Sequence, residues 1–343
     1  MHLFGSSHGP CVGCIVDGLP MNTVIPKERI ADEIELRKPK DGIGTPRKEK
    51  DIVEITGDMN GRAFGVPITM TIRNENTHGS SYSEFSHKPR PGHADLPALM
   101  RFRDFDIRGG GPFSGRLTAP LVAAGAVMKD LLGSKGIEIN AFTRSVGNIE
   151  DPEEGVNEIQ LTDTRARTPE LDVLMKKEIL EASEDGDSVG GVVECIVTGL
   201  PIGFGGIWFE GLDSEIASAM FSIPAVKGIE FGKGFELSGM RGSESNDPYT
   251  VISGKVTAEK NSMGGIVGGM SNGMPMTFRV AFKPTPSISK EQSTVDLKTM
   301  TQTTIKINGR HDPCIVPRAV SVVEAVAAIV VADQAKEAGL FDQ

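Results

Sequence analysis

The sequence predicts an α/β chain of the α+β kind, made of two related halves with helices buried between sheets. Three observations point there. The stretch VGCIVDGLP at Val12–Pro20 returns as VECIVTGLP at Val193–Pro201, identical at seven of nine positions. The runs Leu117–Leu132 and Arg318–Ala335 are almost uniformly apolar and rich in alanine, the pattern of helices covered on all sides. The chain has 343 residues, 38% of them hydrophobic, enough for one large or two fused domains.

The elements follow in order. Both copies of the repeat are β-branched and apolar and end at a glycine and a proline, so both read as strands closed by a turn. A helix is expected over Pro26–Arg37, with proline in its first turn, and its counterpart over Asp213–Phe221, with Asp213 or Ser214 near the start. Each half then closes with an arginine-bearing loop and a long small-residue helix, GGGPFSGRLTAPLVAAGAVMKDLL in one and GRHDPCIVPRAVSVVEAVAAIVVAD in the other. Residues 1–343 are therefore read as a single unit of two halves, about 1–140 and 185–335. Between them Gly147–Thr168 is acidic, irregular and without a motif, and is expected at the surface, followed by a solvent-facing helix over Pro169–Ala182.

Composition excludes several classes. A net charge of -10 argues against nucleic acid as a partner. The longest apolar run, Ala325–Ala332, is far short of the roughly 20 residues of a bilayer span, and no charged-then-apolar leader precedes Ser7, so a cytoplasmic chain with no membrane partner is expected. Cys11 and Cys14 form one CxxC pair with no second pair or matching histidines. No metal site is expected, and Cys14 and Cys195 read as small apolar residues in strands.

Three distant stretches each set a histidine or aspartate among glycine, proline, arginine or serine: GSSHGP around His8, RPGHAD around His93 and GRHDPC around Asp312. Titratable groups on tight loops that converge from three places suit acid and base chemistry on an anionic substrate. Arg37, Arg47, Arg90 and Arg116, in or near such loops, are the candidate clamps, since a guanidinium grips a carboxylate or phosphate through two parallel bonds. RGGGPFSGR at Arg108–Arg116 and AFKPTPSI at Ala281–Ile288 complete a set of five motifs.

All five, in this order, resemble the chorismate synthase family, as do IPAVKGIEFGKGF (Ile223–Phe235) and GGIVGGMSNG (Gly264–Gly273). The resemblance implies a β-α-β sandwich of two pseudo-symmetric halves with a central helical layer. It also implies a lyase that eliminates phosphate from 5-enolpyruvylshikimate 3-phosphate to give chorismate, using reduced FMN without net redox. His8 resembles the histidine that protonates the leaving phosphate, His93 the one that keeps reduced flavin anionic, and Asp312 the aspartate that helps the flavin accept the substrate proton. Ser7 and Ser114 accompany them as catalytic candidates. For FMN the similar positions are Pro112, Phe113 and Ser114, Pro224 and Ala225, Gly268, Lys283, Pro284, Thr285, Pro286 and Ser287, and Arg310. Arg37 stands where the family has an arginine that also meets the reductant nucleotide, with Arg47 a weaker candidate for the same surface. The family further implies a homotetramer, with NADPH as a source of reductant and reduced FMN delivered by a separate flavin reductase.

Pro112 and Phe113 depart from the arginine and serine of many members, which removes one cation and one hydroxyl from the flavin site. Outside the family, HAD and RHD suggest a histidine and aspartate phosphatase, and the departure at Pro112 suggests a non-catalytic flavin-binding relative. His2, His78, His87 and His311 are read as ordinary loop histidines.

Overall fold

Each copy of the repeated nonapeptide becomes a central strand of its own sheet. The computed structural model describes residues 1–40, 42–45, 50–75, 84–102, 106–152, 162–307 and 311–342. The first sheet holds β1 (His2–Gly5), β2 (Cys11–Val16), β3 (Val53–Thr56) and β4 (Ile68–Arg73) in the order β1-β2-β4-β3, every pair antiparallel. The second holds β5 (Glu138–Val146), β6 (Ile149–Glu150), β7 (Gly191–Thr198) and β8 (Val226–Phe231), and takes in a later strand, Met276–Phe282, between β7 and β8. Between β8 and that later strand lie the hairpin of β9 (Tyr249–Ile252) and β10 (Lys255–Ala258) and the hairpin of β11 (Ile266–Val267) and β12 (Met270–Ser271). The later strand is therefore β13, and β14 (Glu291–Asp296) pairs with β15 (Thr301–Lys306) after it.

The two sheets repeat one connection pattern. A strand pairs with the repeat strand, a helix follows, and two further strands enter with the later one next to the repeat strand. The helices in those places are α1 (Lys27–Arg37) and α5 (Leu212–Met220). Between them in sequence come α2 (Asp95–Arg101), α3 (Thr118–Gly133) and α4 (Pro169–Glu184); after them come the one-turn α6 (Gly242–Ser245) and α7 (Val316–Glu337). The first strand of the second sheet, β5, precedes the acidic stretch, so that stretch runs between two strands of one sheet.

The helices α3 and α7 lie between the sheets, α3 against β2 and β4 and α7 against β5 and β7, and they pack on each other. Both are buried along most of their length, as their uniform apolar pattern requires. Their approach is set by Gly125, where an added Cβ would fall 2.3 Å from the Ala325 Cβ. The layer carries one buried ionic cluster. Lys129 of α3 bonds Glu33 of α1 at 2.5 Å and Glu324 of α7 at 2.8 Å, and Glu324 also accepts the Ala141 amide of β5. Burial alone would lower the Lys129 pKa, but Glu324 and Glu33 outweigh it and raise it. The cluster thus ties three helices to a strand through charges that need one another.

Cys14 and Cys195 occupy matching positions in β2 and β7 and point into this core. Burial pushes the Cys14 thiol up to about 12 and the Cys195 thiol well above its ordinary value, so both behave as apolar groups. At the second position of the repeat, the outer face explains the difference. Gly13 is crossed by the Phe4 ring, whereas its counterpart Glu194 bonds Arg144 at 3.2 Å.

Helix α4 presents Asp172, Met175 and Ile179 inward and the rest outward, as expected of a surface helix. Of the stretch expected as a surface excursion, Gly147, Asn148, Glu150, Pro152 and Asp163 are exposed and residues 153–161 lie outside the described residues, but its end departs from the expectation. Thr164, Arg165, Ala166 and Arg167 are buried, because Arg167 pairs with Asp151 at 2.6 Å beneath the Phe142 ring and Thr164 is bonded to Asp172. Arginine reads as surface in a sequence, yet a guanidinium with a carboxylate and an aromatic face can be buried. No described helix is long and apolar enough to cross a membrane.

Candidate active site

The loop that follows β13 meets the loop that precedes α2. Ser287 Oγ lies 3.0 Å from His93 Nε2, and a Cβ on Gly92 would touch Pro286, with Lys283 Nζ 3.9 Å away. Gly92, at φ +72, is glycine because the chain turns there against a proline ring. The Lys283 amide donates to Ala225 at 3.0 Å, which brings Pro224 and Ala225 to the same place; Ala225 holds a left-handed φ of +75. The Ser188 hydroxyl donates to the Thr285 carbonyl at 2.6 Å, while Thr285 Oγ1 is buried with no partner. Buried hydroxyls are seldom left so, and this one marks a place where a ligand oxygen or nitrogen would be satisfied.

The charges at this junction act on His93. Burial first, then the nearby Arg90, lower its pKa from 6.5 to about 4; Asp95 opposes this, and Lys283 and His311 add to it. The imidazole is therefore neutral at pH 7. Burial and Lys227 likewise lower the Lys283 pKa. The site is a concentration of positive charge in an acidic protein, the condition under which an anion binds.

A second group of charges adjoins it through His311 and Asp312. Asp312 accepts the Thr45 amide at 3.2 Å and is bonded by Arg318. Arg318 also donates to the Arg37 carbonyl at 3.3 Å. Arg37 donates to Thr118 Oγ1 and to the Gly115 carbonyl, both at 2.9 Å, with Asp51 3.8 Å away. Burial, then Arg318, lowers its pKa from 12.5 to about 9, so it stays charged at neutral pH. Arg116 bonds the other oxygen of Asp51 at 2.5 Å and donates to Asn74 Oδ1 at 3.1 Å. Asn74 in turn donates to the Ser6 and Gly9 carbonyls at 2.9 and 2.8 Å, which fixes the turn carrying Ser7 and His8. Ser7 Oγ and His8 Nδ1 are 3.3 Å apart, and Ser114 Oγ accepts the Arg116 amide at 3.3 Å.

The residues singled out in the sequence thus fall into distinct roles. His93, Arg90, Pro224, Ala225 and Lys283–Ser287 converge; Asp312, Arg37, Arg116, Ser114 and the His8 turn form the adjoining network. Pro112 and Phe113 end a short 3-10 helix at Arg108–Phe113 next to Ser114, with Phe113 exposed. Gly268 sits in the turn between β11 and β12, where the neighbouring Gly269 carbonyl accepts the Leu212 amide at the start of α5. Arg47, Arg310 and His78 lie outside the described residues.

The candidate clamps are already engaged within the chain. Arg90 grips Asp95 through Nε at 2.7 Å and Nη2 at 2.8 Å, and Arg37 and Arg116 share Asp51. Asp51, Asn74, Asp95 and Arg318 were not singled out in the sequence. Asp95 and Arg318 lie within or just after the quoted motifs, but Asp51 and Asn74 stand in no pattern. His311, read as an ordinary loop residue, faces His93 closely enough to lower its pKa.

The profile of the chorismate synthase family matches residues 1–335. A chorismate synthase of Dehalococcoides mccartyi (strain ATCC BAA-2266 / KCTC 15142 / 195) is 46% identical over 345 residues, which span 98% of this chain and 95% of that protein. One of Korarchaeum cryptofilum (strain OPF8) is 47% identical over 96% of this chain and 93% of its own length. Among solved structures, a crystal structure of chorismate synthase superposes with a TM-score of 0.76 at 32% identity, covering 98% of this chain and 91% of that one. Matching sequence, fold and length over nearly the whole chain leave one reading: the chain belongs to the chorismate synthase family.

Proposed function

We propose that the chain eliminates phosphate from 5-enolpyruvylshikimate 3-phosphate in a 1,4 sense to give chorismate, a carbon-oxygen lyase step at the end of the common shikimate pathway that needs reduced FMN and no net oxidation. The observation that carries this reading is the junction of His93 with the Lys283–Ser287 loop, a neutral imidazole among cations beside an unsatisfied hydroxyl. The residues there fit FMN. Thr285 Oγ1 wants a polar partner, Lys283 and Lys227 favour a phosphate or an anionic ring, and the left-handed Ala225 keeps Pro224 and Ala225 against Lys283. When bound, reduced FMN would lend electron density to the breaking carbon-oxygen bond and receive it back.

The protein's part is proton handling and charge. Phosphate departs with the electron pair of the carbon-oxygen bond, and His8, on its braced turn, would give that oxygen a proton. An anion beside Lys283 offsets the positive field of Arg90 and Lys283, so His93 could then take up a proton and balance the negative charge. Asp312, fixed by Arg318 and Thr45, would assist removal of the proton from the substrate carbon. Ser7 and Ser114 hold the turns that bear these groups. For Arg37, Arg90 or Arg116 to grip the substrate, its anionic groups must replace Asp51 or Asp95; otherwise these arginines act as braces.

The reading extends to a cytoplasmic homotetramer that draws reduced FMN from a separate reductase, with NADPH as the source of electrons. In support of assembly, large apolar side chains stand in water, Trp208 at 83%, Phe209 at 93% and Phe235 at 83% exposure. The test of the reaction is anaerobic incubation of the enolpyruvyl substrate with chemically reduced FMN. Chorismate and phosphate in equal amounts support it; phosphate released without flavin would assign a hydrolase instead.

A further inference from the structure

Arg165 is held in a left-handed backbone conformation, φ +62, that long side chains rarely adopt. Both its flanks are pinned: its amide donates to Thr162 O at 3.1 Å, and its carbonyl accepts the Thr143 amide of β5 at 2.9 Å. Its side chain is 5% exposed, and its Nε and Nη1 are buried with no hydrogen-bond partner. The neighbouring buried arginines are not like this. Arg167 has Asp151 at 2.6 Å and Arg144 has Glu194 at 3.2 Å. Among the described residues no carboxylate bonds this guanidinium, and a buried guanidinium left without a bonded counter-charge is a costly arrangement in a protein interior.

Arg165 lines a cavity between the segment after α1 and the first turn of α7, whose wall also includes Lys38, Lys40, Asp163, Cys314 and Arg318. Asp163 is the one carboxylate among the described lining residues, and Lys176 bonds it at 2.7 Å. The wall is thus rich in cations. Helix α7 begins there with no side-chain cap, and its 22 residues direct the positive end of their dipole at the same space. The room in this partly open cavity is about 10 Å³, that of a single water-sized sphere. A water would satisfy the donors but leave the charge unanswered.

We propose that this cavity is a binding site for a small anion, filled by an ion of halide size or by one oxygen of an oxyanion, with Arg165 as its principal ligand. It borders the candidate active site without belonging to it, because Arg318 lines the cavity and bonds Asp312 as well. An anion there draws on the same guanidinium as Asp312.

The test compares thermal melting of the native chain and of Arg165→Gln in sodium gluconate, chloride and phosphate at matched ionic strength. Chloride should raise the native midpoint saturably, by about 2 °C or more over gluconate, and leave Arg165→Gln unmoved. In gluconate the variant should melt no lower than the native chain, since it has lost an unanswered charge. A phosphate response that depends on Arg165 supports the site and identifies an oxyanion as its occupant. Bromide diffused into crystals of the native chain gives a reading free of any folding defect, with an anomalous peak expected within hydrogen-bond reach of Arg165 Nε. Equal responses of the two proteins to both salts, together with bromide crystals that show no peak at Arg165, overturn the proposal.

Discussion

Ser287 and His93 are hydrogen-bonded at 3.0 Å although 194 positions separate them in the sequence, and this contact joins the two halves of the chain at the candidate site. Its loss should be felt in catalysis before stability. His93→Ala is expected to lower turnover by about a hundredfold to ten-thousandfold, the usual worth of a positioned proton carrier. Ser287→Ala, which removes only a partner of the ring, should cost about tenfold. Both loops lie outside the main core, so melting midpoints should move little. Steady-state rates measured beside melts decide it, and near-native turnover in His93→Ala removes that residue from the mechanism.

The depressed His93 pKa fixes the sign of one pH effect. The folded state holds the imidazole neutral down to about 4, whereas the unfolded chain protonates it near 6.5. Between those values unfolding takes up a proton, so stability is full above about 6.5 and falls as the pH drops toward 4. His93→Asn should flatten that part of the profile. Urea midpoints at intervals from pH 7.5 to 4 measure it; parallel profiles for the two proteins would show that the ring is not held neutral.

The buried cluster in the helical layer makes a different prediction. Lys129→Met leaves Glu33 and Glu324 facing each other without a cation, which should cost about 3–5 kcal/mol. Adding Glu33→Gln and Glu324→Gln should return much of that loss, since the charges then vanish together. Chemical denaturation of the single and triple variants compares them. Equal losses in both would mean that packing, not charge, holds the layer.

Much of the architecture was legible in the residues. The repeat announced two equivalent strands, and the all-round apolar runs announced α3 and α7, because period and composition depend only on local sequence. Thr164–Arg167 escaped that reading, since burial of Arg165 and Arg167 is decided by partners such as Asp151 and Phe142 that no local pattern reveals. The candidate site was legible where a motif carries it, at His8, His93 and Asp312. The carboxylates that hold its arginines were not: Asp51 pairs with Arg37 and Arg116 only through the fold.

Under the proposed function, reduced flavin is a returned, not a spent, reactant. An anaerobic stopped-flow run with the enolpyruvyl substrate in large excess over reduced FMN follows flavin absorbance and phosphate release together. Many phosphates per flavin are expected, with chorismate in equal amount and the flavin still reduced when substrate is exhausted. Flavin oxidised in step with product, or phosphate released just as fast with no flavin present, would contradict the proposed function.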